Sequence, residues 1–281
     1  MRGARSIAPP SIVRLHVDLI AANLDLPVYD PAQADDLLEK YLPTLEAVPP
    51  DALEHPRVDI VAVGLGLLKV VALTQVPAFR EELEVLSGAE RFEIANLTWL
   101  RDLTILTMHT SRKADIAGTT KATTRIPPEL DAASKELEKR MQKVCEDFFG
   151  DDERILALRA GTGYIDRAYD LLGYAEYYAT RAAIVAGHPL YRAGDLEEAN
   201  KLGGKILAIY DTDQNPEQKL AFDQLRRAWT LLEAVYFEVR SVALGILRYV
   251  PEREELFPTV YVLGRKGQGR KKSGAAAPSE D

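Results

Sequence analysis

Tyr164, Tyr169, Tyr174, Tyr177 and Tyr178 crowd into one short stretch with Asp166, Arg167, Asp170, Glu176 and Arg181. Phenol rings stack on flat groups, and guanidinium groups donate to carboxylates and phosphates. Tyr164, Arg167, Tyr174, Tyr177 and Arg181 are therefore the candidate ligand pocket. The same residues suit a second role, in which the rings are buried and the hydroxyls find partners at the rim.

Two further cationic groups could meet anions. Arg112, Lys113, Lys121 and Arg125 alternate with Thr119, Thr120, Thr123 and Thr124 around Gly118. They form either an anion-binding loop or a solvated linker. Arg265, Lys266, Arg270, Lys271 and Lys272 lie in a tail rich in Gly, Lys, Ser and Ala, whose composition predicts disorder. That tail suits an anionic surface, or serves only to keep the chain soluble. The net charge of −8 argues against nonspecific nucleic-acid binding over the whole surface.

Metal and cofactor signatures are incomplete. His16, His55, His109 and His188 are scattered, and none has a Glu or His at a spacing that converges two ligands on one helical face. Asp211, Asp213, Asn215 and Glu217 alternate like the first half of a calcium loop. The glycine and the bidentate glutamate that loop needs are replaced by Pro216 and Phe222. The Val58–Lys69 stretch has two glycines of a dinucleotide-binding turn, but Lys69 stands where the third belongs. It reads better as a buried helix with glycines at a close crossing. No Gly-x-Ser-x-Gly or phosphate-binding Gly-Lys-Ser/Thr is present. The expectation is no metal, no cofactor and no identifiable catalytic residue, which leans away from an enzyme. Cys145 is the single cysteine, so no internal disulfide framework exists.

The segment from Phe257 to Leu263 has strand composition between a proline and a glycine. An isolated strand needs something to pair with its backbone. Phe257, Thr259, Tyr261 and Leu263 are thus candidate partner-binding residues, on one face of an added strand.

The elements that must position these groups are helices. Leu225, Ala228, Leu232, Val235, Val239, Val242, Ile246 and Tyr249 recur at spacings of three and four, and Trp229, Tyr236 and Ala243 widen the stripe. Asp30-Pro31, Pro127-Pro128 and Asn215-Pro216 read as helix starts. Ser87 with Glu90 reads as a capping box for a further helix. Pro43 should bend or end the first helix early, and Gly203-Gly204 should interrupt another. Thr110 to Ile126 lacks periodicity and is expected to be a loop. A seam of Ile165, Ala168, Leu172, Ala175, Ala179, Ala182 and Ala186 predicts a helix to about Gly187, packed closely beside the long C-terminal one.

These signs predict an all-α fold, an elongated bundle of about seven or eight helices. The bundle spans residues 1–258, and an extended segment with a flexible basic tail follows at 259–281. A chain of 281 residues that is 47% hydrophobic can bury a substantial core. The Val58–Val76 window carries Asp59, Lys69 and Gln75, which favours a core helix over a membrane span. No signal-peptide pattern opens the chain. The expected function is a non-catalytic cytoplasmic scaffold, one that self-associates or binds a protein partner through a helix face and its C-terminal extension. The alternatives are a ligand-binding bundle or enzyme with a Tyr/Arg-lined pocket, and a membrane-active helical protein.

Overall fold

The C-terminal seam forms the longest helix of the computed structural model, Pro216–Ile246. The structure describes residues 18–19, 22, 24–27, 29–118, 126–150, 152–158 and 163–264. Among them the helices are, in chain order, α1 (Pro31–Glu46), α2 (Ile60–Thr74), α3 (Pro77–Gly88), α4 (Asn96–Gly118), α5 (Pro128–Phe149), α6 (Glu153–Ala157), α7 (Tyr164–Thr180), α8 (Ala182–Val185), α9 (Asp195–Asp213), α10 (Pro216–Ile246), α11 (Arg253–Leu256) and α12 (Val260–Leu263). Eight of these are long, and no strand occurs among the described residues. The fold is an all-α multi-helix bundle.

Side-chain chemistry sets the helix starts. Asp30 accepts from the Ala32 amide, Asp59 from Ala62, and Asn215 from Gln218 at 2.7 Å. Each satisfies a donor that the first helical turn leaves free. Proline stands at the first position of α1, α3, α5 and α10, where its missing amide costs nothing.

The helices enclose two large hydrophobic cores and a small cluster of Ala34, Leu68 and Ile105. The first joins α1, α2, α3, α4, α10 and α12, with α4 and α10 as its central pair. Leu100, Leu103 and Leu106 of α4 meet Trp229, Leu232, Tyr236, Val239 and Ala243 of α10 in this core. Each of these leucines and the valine contributes about 1.5–3 kcal/mol by leaving water. The second core joins α5, α7 and α9, with Leu137, Met141, Val144, Leu171, Tyr174 and Leu202 inside it. At Gly203 a Cβ would stand 2.9 Å from the Ala168 carbonyl oxygen, so the missing side chain sets the close α7–α9 approach. In α2 the two glycines also mark close crossings. A Cβ on Gly64 would meet Met108 Sδ at 2.3 Å, and one on Gly66 would meet Leu263 Cδ2 at 2.5 Å.

Several expectations are corrected. The helix bearing the tyrosines ends at Thr180, and it packs on α9 and α5 rather than beside α10. Ala168 and Ala175 are buried, the latter in the second core, but Ala179, Ala182 and Ala186 are exposed. Thr110 to Gly118 is helical. The Thr110 hydroxyl donates to the Leu106 carbonyl, so the threonine is satisfied inside the helix, and Ala114 is buried. Arg112 and Lys113 therefore sit on α4, while Lys121 and Arg125 lie outside the described residues. Ser87 belongs to the last turn of α3 and starts no helix. Helix α1 continues past Pro43, and α9 continues through Gly203-Gly204.

The expected extended segment is also helical. Leu263 donates to the Thr259 carbonyl at 3.1 Å and Gly264 to the Val260 carbonyl at 3.0 Å. The carbonyls of Phe257 and Pro258 accept from Arg240 Nε and the Tyr236 hydroxyl. The backbone groups thus find partners within this chain, which removes the need for strand pairing. Phe257 is fully buried, 5.4 Å ring to ring from Phe79. Of the other residues expected to dock a partner, Thr259 donates to Glu153, Tyr261 lines a cavity described below, and Leu263 packs on Gly66.

Candidate functional site

The loop between α1 and α2 runs along α10 between the two cores. Arg227 Nη1 donates to the carbonyls of Leu45, Glu46 and Val48, at 3.1, 3.2 and 2.7 Å, and so closes the C-terminal end of α1. Arg226 Nη2 donates to the Leu53 carbonyl at 3.3 Å, and the Thr230 hydroxyl accepts from the Glu54 amide at 2.9 Å. These bonds hold His55 flat against Tyr169 of α7, with ring centroids 3.5 Å apart and planes 7° from parallel. Gly173, one turn further along α7, makes room for Arg57. A Cβ there would lie 2.1 Å from Arg57 Nη1 and 2.6 Å from Leu158 Cδ2.

Two adjoining cavities share His55, Tyr169 and Arg226. The larger, of about 810 Å³, opens between the N-terminal half of α7, the C-terminal half of α9 and the first turns of α10. Tyr164, Ile165, Tyr210 and Phe222 supply most of its apolar wall. Tyr210 and Phe222 meet edge to face, with centroids 6.1 Å apart. Lys219 pairs with Asp211 at 3.3 Å across the α9–α10 corner. The smaller cavity, of about 280 Å³, lies toward α6 and α12 and is more polar. There Tyr261 donates to Glu233 Oε1 at 3.0 Å, and its oxygen accepts from Arg154 Nε at 3.3 Å.

Burial sets the protonation states along this wall. Burial first, and then the charges of Arg57 and Arg226, hold the His55 pKa down from 6.5 to about 3. The ring is therefore neutral near pH 7, with one nitrogen donating and the other accepting. Burial first and then the neighbouring Glu54 raise the Glu233 carboxyl above the ordinary carboxylate range. Burial lifts the Tyr169 phenol as well.

Two polar atoms of the shared wall are shielded from solvent and have no hydrogen-bond partner among the described residues. They are His55 Nδ1 and Arg226 Nε. Such groups are uncommon in folded proteins, because each carries a desolvation cost of about 1–3 kcal/mol.

The structure separates the tyrosine–arginine group expected from sequence. Tyr164 lines the larger cavity and Tyr177 the smaller. Arg167 turns to α5, donating to Asp131 at 2.7 Å and Ser134 at 3.1 Å. Tyr174 is buried in the second core. Arg181 lies over the Tyr177 and Phe149 rings, at 4.5 and 5.3 Å. Of the anion-binding candidates, Lys113 pairs with Asp35 at 2.6 Å, and Arg112 is exposed on α4. The basic tail residues Arg265, Lys266, Arg270, Lys271 and Lys272 lie outside the described residues. Among the described residues no group of three or more His, Cys, Asp or Glu is placed to hold a metal ion.

Sequence reasoning missed His55, Arg57 and Arg226. The available signal was a histidine and an arginine flanking Pro56, in a loop too short to bury itself, and an arginine bordering the α10 seam. Burial pushes the Cys145 thiol up to about 12, so it is not a nucleophile. No single helix among the described residues is long and apolar enough to cross a membrane; α2 and α3 pass that test only together, across an 81° bend. No family model matches the chain, and no curated protein or solved structure is significantly similar to it.

Proposed function

We propose that this protein binds a small molecule in the cavity between its two cores. The observation that carries this reading is the cavity of about 810 Å³, which is lined by Tyr164, Tyr169, Tyr210 and Phe222 together with His55 and Arg226. Its size and its mixture of apolar lining with few convergent polar groups match the usual form of a ligand site. The wall offers no paired nucleophile and base, so binding rather than catalysis is the activity proposed.

The test uses N-phenyl-1-naphthylamine, an uncharged aromatic probe whose fluorescence rises in apolar surroundings. Saturable binding of one equivalent is expected. Ala208 is exposed and borders the cavity, so Ala208→Trp should fill the space without entering either core and should abolish that binding. Nonsaturable uptake, or uptake that Ala208→Trp leaves unchanged, would overturn the proposal.

Association with a protein partner or a second copy is a second reading, favoured by one surface. Phe237 is 68% exposed on α10 and shares a groove of about 530 Å³ with Phe92 and Val242. Phe237, Phe92 and Val242 together give this groove an apolar centre bordered by Glu90 and Glu238, the pattern of a contact surface. Phe237→Lys should then lower the mass measured by light scattering; a monomer both before and after the change would exclude self-association there.

A further inference from the structure

We infer that the ligand of the inter-core cavity is a planar aromatic anion, with its acidic group at Arg226 and His55 and its ring system along Tyr164, Tyr210 and Phe222. This rests on the proposal that the cavity binds a small molecule, and it assigns the chemistry of that molecule.

The charge balance of the wall points to an anion. Asp211 is neutralised by Lys219 at 3.3 Å, and Asp223 by Arg227 at 2.6 Å. Asp166 has a partner of its own. Arg226 is different. The one hydrogen bond of its guanidinium to a described residue runs from Nη2 to a neutral carbonyl, that of Leu53, and no described carboxylate pairs with it. Arg57 stands beside it and also lacks a carboxylate partner among the described residues; both positive charges act on the His55 ring. Arg226 lines the cavity, and the planar fork of a guanidinium favours a carboxylate, sulfonate or phosphate over a single neutral acceptor. His55 is neutral, so it borders the same space without adding a charge of its own.

The rest of the wall selects a flat body. Tyr210 and Phe222 form an edge-to-face pair, which leaves ring surface for a third aromatic group. Tyr164 borders the same space. One face of Tyr169 is already covered by His55, so the stack ends at the acidic group's site rather than continuing through it. An aliphatic anion would use the arginine and leave these rings idle. A neutral aromatic molecule would use the rings and leave the Arg226 charge without a carboxylate or other anion. The specificity follows from needing both.

The experiment compares two probes that share one aromatic body. 8-Anilino-1-naphthalenesulfonate carries a sulfonate, and N-phenyl-1-naphthylamine does not. With the full chain, Arg226→Gln should weaken sulfonate binding at least about tenfold and change the uncharged probe less than about twofold, since the variant removes a charge-assisted donor and leaves the apolar wall. In the unaltered protein, raising sodium chloride should weaken the sulfonate probe and not the uncharged one. This second arm holds even if Arg226→Gln loosens the loop at Leu53. If the uncharged probe binds and is blocked by Ala208→Trp, but sulfonate binding ignores both Arg226→Gln and salt, the anion assignment is wrong and the cavity reading survives. If neither probe shows binding that Ala208→Trp blocks, the cavity reading itself is wrong.

Discussion

Acidification should loosen the loop that holds His55, by an amount its surroundings fix. The ring is stacked on Tyr169 and lies close to two arginines, and its pKa falls from 6.5 to about 3. Across that window the unfolded chain takes up a proton at this position and the folded chain does not. Stability therefore rises with pH there, is complete above the unfolded value, and declines as the pH drops through it. Each pH unit well inside the window is worth about 1.4 kcal/mol, so going from about pH 7.5 to about pH 5 costs about 2 kcal/mol. His55→Phe keeps a flat ring against Tyr169 and cannot titrate. Urea unfolding followed by tryptophan fluorescence, on both proteins at both pH values, isolates the effect. Carboxylates common to the two proteins cancel in the comparison. The wild-type chain should lose about 2 kcal/mol more than the variant. Equal losses in the two would mean that His55 is open to water and that the loop does not sit between the cores.

Other substitutions test the packing. Gly173→Ala should destabilise by about 1–3 kcal/mol, because the new methyl group collides with Arg57 and Leu158; an unchanged unfolding midpoint would place Arg57 elsewhere. Ala179→Leu should shift stability by less than about 0.5 kcal/mol, since Ala179 is exposed, whereas a seam residue would give a large loss in thermal unfolding. Arg140→Met should cost about 3–5 kcal/mol by stranding Asp195, which is 1% exposed and 2.7 Å from the guanidinium; urea midpoints would show it. Asp170, pushed up to about 8 by burial and then by Glu138, works with the opposite sign to His55. Wild type should lose stability relative to Asp170→Asn as the pH rises from about 5 to about 8, by at most about 1.4 kcal/mol per unit. A parallel pair of pH profiles would show that Asp170 ionises freely.

Periodicity and caps carried the helices into view, because both are local. The α10 seam needs only spacings of three and four, and Asp30, Asn215 and Pro128 act within a turn of where they stand. The widening residues Trp229, Tyr236 and Ala243 turn out to lie at the centre of the stripe, with Val235 and Val242 at its edge. A small change in helix orientation makes that difference, and periodicity alone leaves it open. Nor does a seam name its neighbour. Ala168 of α7 meets Gly203 of α9 rather than α10, a choice made by two separate cores competing for partners. The C-terminal segment failed for a related reason. Its β-branched residues favour a strand only when a second strand is present to pair with.

The cavity shows most directly why a site can be half visible in a sequence. The tyrosines and arginines grouped by sequence lie on one helix, α7, or just beyond its end, yet they face different neighbours. At 3.6 residues per turn, side chains in one short stretch point to several neighbours. Arg167 and Tyr174 face α5, which fills the space against them with Ser134, Met141 and Cys145. Tyr164 and Tyr169 face α9 and α10 where those two helices diverge from their Gln214–Asn215 corner, and there the space stays open. Aromatic residues become a wall only where the backbone behind them leaves room. That depends on contacts such as His55 to Tyr169 and Leu53 to Arg226, whose partners lie more than a hundred residues apart. No pattern within one helix encodes such a contact, so the placing of His55 and Arg226 on one cavity wall emerges only from the folded arrangement.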